Sequence, residues 1–239
     1  MRPTGGPVVW VTGASRGIGA AVAEAFAHEG ASVVLSGRNR SALQRVAGRI
    51  AHQGGEALAL ACDVTSERSV VHALKIIAGK FRNIDVLVNN AGVTSFTSFE
   101  RTSIAEFDRI VATNLRGTFL CTKSVLPVML RRKKGLIINI ISVSAITTFT
   151  NSSVYAATKA GVLAMSRGLR AEVRDRGLRV LNVLPGAVET QMWPERLRKK
   201  HKAKMMKVDD VARVILSLFN QPNGVLTEEI IIRPGGGDL

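Results

Sequence analysis

The sequence predicts an α/β domain built on one doubly wound parallel sheet. Three observations lead there. Short, continuously apolar runs alternate in a steady rhythm with longer segments of helical period along the 239 residues. Runs without polar alternation belong in a sheet covered on both faces, and a strand-then-helix repeat gives parallel strands. The first run is followed at once by a glycine-rich turn that opens an alanine-rich helix. With 46% apolar residues and no repeat, low-complexity tract or linker, residues 1–239 are expected to form a single domain. Ligands of such sheets bind beyond the carboxyl ends of the strands, so the chemistry is sought there.

The first strand is "VVWVT" (8–12), with a helix near 17–29. Between them "TGASRGIG" places Gly13, Gly17 and Gly19 in a G-x-x-x-G-x-G spacing. Glycines let the backbone turn tightly and approach a pyrophosphate, while the helix N-terminus offers free N–H groups and a positive dipole end. A dinucleotide fits; a plain glycine-rich turn is the alternative. The second strand (32–37) precedes a helix near 41–53 and ends in "LSGRN". An NAD-specific site carries a carboxylate there for the adenosine ribose, whereas this chain has Gly37 and Arg38. A guanidinium fork pairs with phosphate, and Arg16 in the glycine loop can approach the same region, which points to the 2′-phosphate of NADP(H). The other reading makes Arg38 a solvated loop residue.

The third strand (57–62) ends in "CDVTS" before a helix near 66–80, and Asp63 either bonds the adenine amino group or caps that helix. The fourth (84–90) ends in "NNAG", where the short residues Asn90, Ala91 and Gly92 leave room for a flat ligand; a helix near 103–131 follows. The fifth (136–142) ends in "NIISVS", with Ser142 at the same edge of the sheet. The helix near 153–176 carries Tyr155, the one tyrosine of the chain, and Lys159. Residues four apart share a helix face, so phenol and ammonium can converge; alone, the pair reads as a solvated lysine beside a half-buried tyrosine. After the sixth strand (178–185), residues 186–207 have no place in the sheet and read as a helical flap or loop over its C-terminal edge. A helix near 208–220 and a last strand (229–233) complete a Rossmann-like order.

Composition excludes other classes. No run of eighteen apolar residues occurs, and the N-terminal stretch lacks a long apolar run with a small-residue cleavage site, so a soluble, cytoplasmic protein with no membrane contact is expected. Cys62 and Cys121 read as buried thiols, and the four dispersed histidines have no ligand spacing, so no metal is expected. The net charge of +15 raises nucleic acid as a partner, but the basic runs "RRKK" (131–134) and "RLRKKHKAK" (196–204) lack interleaved aromatics. Solvated surface charge is the preferred reading.

Taken together, Thr12 to Gly19, "NNAG" (89–92), Asn114 in "TNLRGTF", Ser142, Tyr155 with Lys159, and "PGAVET" (185–190) resemble the short-chain dehydrogenase/reductase family in order and spacing over about residues 7–190. The resemblance implies a catalytic set of Asn114, Ser142, Tyr155 and Lys159. It implies cofactor contacts from Gly13, Ser15, Arg16, Gly17, Ile18, Gly19, Arg38, Asp63, Val64, Asn90, Ala91, Gly92, Tyr155, Lys159, Pro185, Gly186, Val188 and Thr190. Tyr155 would be the proton donor, its phenol lowered by the Lys159 ammonium. Ser142 would hold the substrate oxygen, Lys159 would also hold the nicotinamide ribose, and Asn114 would help keep a water in the proton relay.

The expected activity is NADP(H)-dependent interconversion of a small-molecule carbonyl and a secondary alcohol, running as a ketone or aldehyde reductase, and the resemblance implies a homodimer or homotetramer that shares the helices near 103–131 and 153–176. Two departures bear on the substrate. "SVSAITTF" (142–149) changes the pocket floor where many members carry Ala-Gly, and the ending "NGVLTEEIIIRPGGGDL" lacks a D-G-G close. A 3-oxoacyl thioester presented by an acidic acyl carrier protein is the alternative substrate, suited to the basic surface. A non-catalytic dinucleotide sensor or nucleic-acid binder is the alternative of a different class.

Overall fold

The computed structural model describes residues 5–81, 83–222 and 224–237. The first four residues of the N-terminal stretch and the last two of the C-terminal ending discussed above lie outside the described residues. Among the described residues, seven strands are interleaved with eight α-helices: β1 Val8–Thr12, α1 Gly17–His28, β2 Ser32–Gly37, α2 Arg40–His52, β3 Glu56–Ala61, α3 Glu67–Phe81, β4 Val86–Asn89, α4 Ile104–Val111, α5 Gly117–Arg132, β5 Gly135–Ile140, α6 Ser153–Val173, β6 Leu178–Pro185, α7 Glu195–His201, α8 Val208–Phe219 and β7 Glu229–Ile232. All seven strands are parallel, in the order β3-β2-β1-β4-β5-β6-β7. The chain reverses direction of winding between β1 and β4, and a crevice opens there because the following loops leave toward opposite faces.

The apolar strands are buried on both sides, as their lack of alternation requires. Val9 and Val11 of β1 join Phe26 of α1, Leu43, Val46 and Ile50 of α2 and Ile215 of α8 on one face. Val8 and Trp10 join Val70 and Ile77 of α3 and Leu120, Val125 and Met129 of α5 on the other. Each such side chain contributes about 1.5–3 kcal/mol on burial. Phe26 and Phe219 add an edge-to-face contact at 5.1 Å that fixes α1 against α8.

Between β4 and β5 the chain departs from one regular helix. Residues Ala112–Arg116 form a π-helical turn that joins α4 to α5, and Asn114 sits in it, buried. A local insertion of this kind re-aims one residue out of the helical series, and such turns recur at functional sites. Expected strand 84–90 closes at Asn89 because the next two amides turn toward the Thr12 hydroxyl. Expected strand 136–142 closes at Ile140, and Ser142 instead caps a 3₁₀ turn, Val143–Ala145.

A row of polar side chains crosses the buried sheet. Asn89, Asn139, Asn182 and Glu229 are paired neighbours in the register of β4, β5, β6 and β7. Asn89 Nδ2 donates to Asn139 Oδ1 at 3.0 Å, Asn139 Nδ2 to Asn182 Oδ1 at 3.1 Å, and Asn182 Nδ2 to Glu229 Oε1 at 3.4 Å. Arg167 of α6 grips Glu229 through two bonds of 2.8 and 2.7 Å. That hydrogen-bonded guanidinium draws the Glu229 carboxyl down to about 2. Because the folded value lies below the unfolded one, the stabilisation is fully present above about pH 4.5 and is lost as pH falls toward 2. Glu229→Gln is expected to cost about 1–2 kcal/mol at pH 7, reduced by solvent screening of Arg167, and little at pH 2. Urea titrations of both proteins at the two pH values check this, and an equal cost at both would exclude the ionised pair as its origin.

Candidate active site

The carboxyl ends of the strands surround one cavity of about 810 Å³, within the range of small-molecule sites. Its first wall is the turn after β1. Gly13 and Gly17 hold φ of +65° and +60°, which side-chain-bearing residues rarely adopt. A Cβ on Gly13 would lie 2.8 Å from the Ala91 Cα, so the glycine also lets β1 and β4 close together. Thr12 and Asn90 lock that junction. The Thr12 hydroxyl donates to the Val88 carbonyl and accepts from the Asn90 and Ala91 amides, while Asn90 Nδ2 donates to the Thr12 and Gly13 carbonyls at 2.9 and 3.1 Å. Asn90 thus holds the glycine turn in place as well as lining the cavity. Thr12 opens the Thr12 to Gly19 stretch, but the sequence does not show that its hydroxyl bonds to the end of β4.

Of the expected cofactor residues, Gly13, Ser15, Arg16, Gly17, Ile18, Arg38, Asp63, Val64, Asn90, Ala91, Gly92, Pro185, Gly186, Val188 and Thr190 all line this cavity. Gly19 does not; it is buried, and a Cβ there would stand 2.3 Å from Asn90 Nδ2. Its missing side chain makes room for the Asn90 lock. Arg38 is exposed at the end of β2 and makes no ion pair among the described residues, and Asn39 beside it caps α2 by accepting from the Ala42 amide at 3.0 Å. Arg16 reaches across the mouth to donate to Gln191 at 2.8 Å. One Asp63 oxygen accepts from the Thr65 amide and hydroxyl, so this side chain shapes the turn after β3.

At the other end of the cavity stand Ser142, Tyr155 and Lys159. Ser142 caps its 3₁₀ turn by accepting from the Ser144 amide at 3.1 Å, which fixes the hydroxyl at the tip of β5. Tyr155 and Lys159 project from one face of α6, with Lys159 Nζ 5.7 Å from the centre of the phenol ring. Lys159 is only 6% exposed, donates to the Ile140 carbonyl at 2.8 Å, and has no ion pair among the described residues. Burial without a counter-charge lowers its ammonium to about 8.

The phenol corrects the sequence expectation. Burial raises the Tyr155 phenol to about 12 in the free protein, with the Ser142 hydroxyl pulling the other way, where the sequence reading expects it lowered. Desolvation is the largest cause of the shift, and the Lys159 cation lies over the ring while bonding to the Ile140 carbonyl. Asn114 is buried behind the cavity. Its side chain accepts from the Val93 amide at 2.8 Å and donates to the Val93 carbonyl and the Thr158 hydroxyl at 2.9 and 3.1 Å. It is not among the residues lining the cavity, and it ties the loop after β4 to α6 one position from Lys159.

Residues 186–207 contribute to the cavity lining through residues from Gly186 to Trp193 and through Leu197. They carry α7, whose basic side chains are largely exposed, and are anchored by exchanges between Ala187, Glu189 and Met206 backbone groups. Met192, Trp193 and Leu197 line the cavity from this segment, although Met192 stays 41% exposed. Cys62 and Cys121 are free and buried, and burial raises both thiols. Among the described residues no three His, Cys, Asp or Glu could hold a metal ion, and no helix is long and apolar enough to cross a membrane.

Comparisons with known proteins agree with the fold. The sequence profile of the short chain dehydrogenase family matches residues 7–201. An uncharacterised oxidoreductase of Staphylococcus aureus (strain MRSA252) is 34% identical over 227 residues, covering 94% of this chain and 95% of the relative. A metagenomic short-chain oxidoreductase solved in complex with NADP superposes with a TM-score of 0.84 at 33% identity, over 95% of this chain and 96% of that one. An alcohol dehydrogenase from the archaeon Thermococcus sibiricus, solved with 5-hydroxy-NADP, gives 0.89 at 30% identity over 97% of both chains.

Proposed function

The chain belongs to the short-chain dehydrogenase/reductase family and is an oxidoreductase, and from that premise we propose that it is an NADP(H)-dependent reductase of ketones or aldehydes. The observation that carries this reading is the meeting of Ser142, Tyr155 and the buried Lys159 ammonium in the cavity that the glycine turn opens.

The residues fit a dinucleotide. Two glycines with positive φ form a cradle at the N-terminus of α1, the Lys159 ammonium has donors beyond its bond to Ile140, and Arg16 and Arg38 bring charge to the β2 side. The turn from Gly13 to Ile18 would hold the pyrophosphate, Arg38 the 2′-phosphate beside the capped N-terminus of α2, and Lys159 the nicotinamide ribose. When bound, the cofactor supplies or accepts the hydride. Tyr155 would give its proton to the substrate oxygen. Ser142 would hold that oxygen in line, and Asn114 would act as a positioning residue, keeping α6 and the Val93 backbone in register. The two related structures solved with NADP-type cofactors support the same choice.

Arg38→Asp is expected to weaken NADPH binding about tenfold to a hundredfold and to reverse or erase the preference over NADH. Fluorescence titration with both cofactors decides it; equal affinities in the unmutated protein would remove Arg38 from the 2′-phosphate site. NADPH oxidation with aldehydes, ketones and a 3-oxoacyl thioester, alongside a salt-titrated DNA gel shift, tests the class. The thioester alternative draws on the basic α7 beside the cavity mouth, which suits an acidic carrier protein. Free thiols suit a reducing, cytoplasmic setting. A homodimer or homotetramer is proposed from Phe99 and Ile104, each 77% exposed, with Phe107 and Phe119 on α4 and α5 and Ile231 on the edge strand β7.

A further inference from the structure

The substrate end of the cavity has its own composition. The chain has eight Phe, two Trp and one Tyr, yet Phe96, Phe149, Tyr155 and Trp193 all line this single cavity. Phe96 comes from the loop after β4 and Trp193 from the segment after β6, and their rings meet with centroids 5.3 Å apart and planes tilted by 36°. Phe96 is 40% exposed, so part of its ring offers apolar surface that the core does not cover. Met192 and Leu197 extend that surface. The polar side chains from the loops after β4 and β5, Thr94, Ser144, Thr150, Asn151 and Ser152, are small and uncharged. The cations of the cavity are engaged or placed elsewhere: Lys159 on the Ile140 carbonyl, Arg16 on Gln191, Arg109 beside Glu106 at 3.8 Å, and Arg38 at the tip of β2.

We propose that the cavity selects neutral carbonyl compounds whose larger substituent is a flat apolar ring, and that Phe96 and Trp193 set this preference. The inference rests on the reductase reading above. A carbonyl oxygen at Ser142 and Tyr155 leaves its larger substituent to extend toward the paired rings. A flat ring gains face or edge contact with them and orders few torsions, whereas a saturated ring of equal bulk gains area alone. A carboxylate on the same substituent would lose its hydration among uncharged groups.

The test compares NADPH-dependent reduction of 4-phenyl-2-butanone and 4-cyclohexyl-2-butanone, which share a carbonyl and differ in the flatness of the ring. The phenyl compound is expected to have the larger kcat/KM by about tenfold. Phe96→Ala and Trp193→Ala should each bring that ratio toward one. In the protein saturated with NADP, 4-phenyl-2-butanol should shift tryptophan emission, and the shift should vanish in Trp193→Phe. A ratio near one in the unmutated enzyme, or a ratio untouched by both alanine variants, overturns the inference while leaving the reductase reading intact. Absence of turnover with every aldehyde and ketone overturns that reading and the inference with it.

Discussion

Tyr155→Phe is expected to lower turnover by roughly a hundredfold or more while leaving NADPH affinity almost unchanged. The substitution removes one hydroxyl from a half-buried ring and keeps the ring, so the fold and the cofactor cradle at the far end of the cavity are untouched. What disappears is the proton that Ser142 and α6 hold at the substrate oxygen. Ser142→Ala should give a similar loss, and the double variant should fall short of the two losses multiplied, because the two hydroxyls serve one oxygen. Single-turnover rates with a good ketone provide the measurement. A Tyr155→Phe enzyme that reduces it at the unmutated rate would end the proposed mechanism.

Lys159→Met should damage both turnover and cofactor binding, each by about a hundredfold, and its pH signature separates it from a packing defect. Burial lowers the ammonium to about 8, so in the unmutated enzyme kcat/KM for reduction should fall as pH rises through that value and the cation is lost. The inflection should be absent in Lys159→Met; its survival would assign it to another group. Stability supplies a second reading. With the folded value below the unfolded 10.5, the unfolded chain binds more protons between about pH 8 and 10.5, and the unmutated protein gains stability across that window. The difference between Lys159→Met and the unmutated protein should therefore shift in favour of the unmutated protein by on the order of 1–3 kcal/mol between pH 7 and pH 10.5. Denaturant titrations at the two pH values read it.

Most of the architecture was legible in the sequence because it rests on period and burial. Apolar runs such as "VVWVT" and "LIINIIS" belong in a covered sheet, and their alternation with helices makes it parallel, while the strand order is seen only in the structure. Strand ends were less legible, since Asn89 and Ile140 are the last ladder residues for reasons that lie elsewhere: a threonine hydroxyl on β1 and a serine cap. The cavity residues at strand tips were legible from glycine spacing and from side-chain chemistry. The roles of Gly19, Asn90 and Asn114 were not, because each depends on a partner far away in the chain, and α-helical period alone gives no sign of the π-helical turn that aims Asn114 at Val93. The direction of the Tyr155 shift was also hidden, because it depends on how deeply the hydroxyl is desolvated.

The asparagine row across β4, β5 and β6 has a consequence for how the chain finds this fold. Each of these parallel strands must wait for a helical crossover before it can pair, which makes the sheet slow to assemble and gives misaligned pairings time to form. A slip of one residue would turn every side chain to the opposite face, and a slip of two would set a buried amide against an isoleucine or valine, leaving donors unmet at about 1–3 kcal/mol apiece. Since Asn139 needs Asn89 on one side and Asn182 on the other, an error on either side is penalised at the same residue. The row therefore favours the one alignment of these strands that brings Ser142 and Gly92 to the same edge of the sheet.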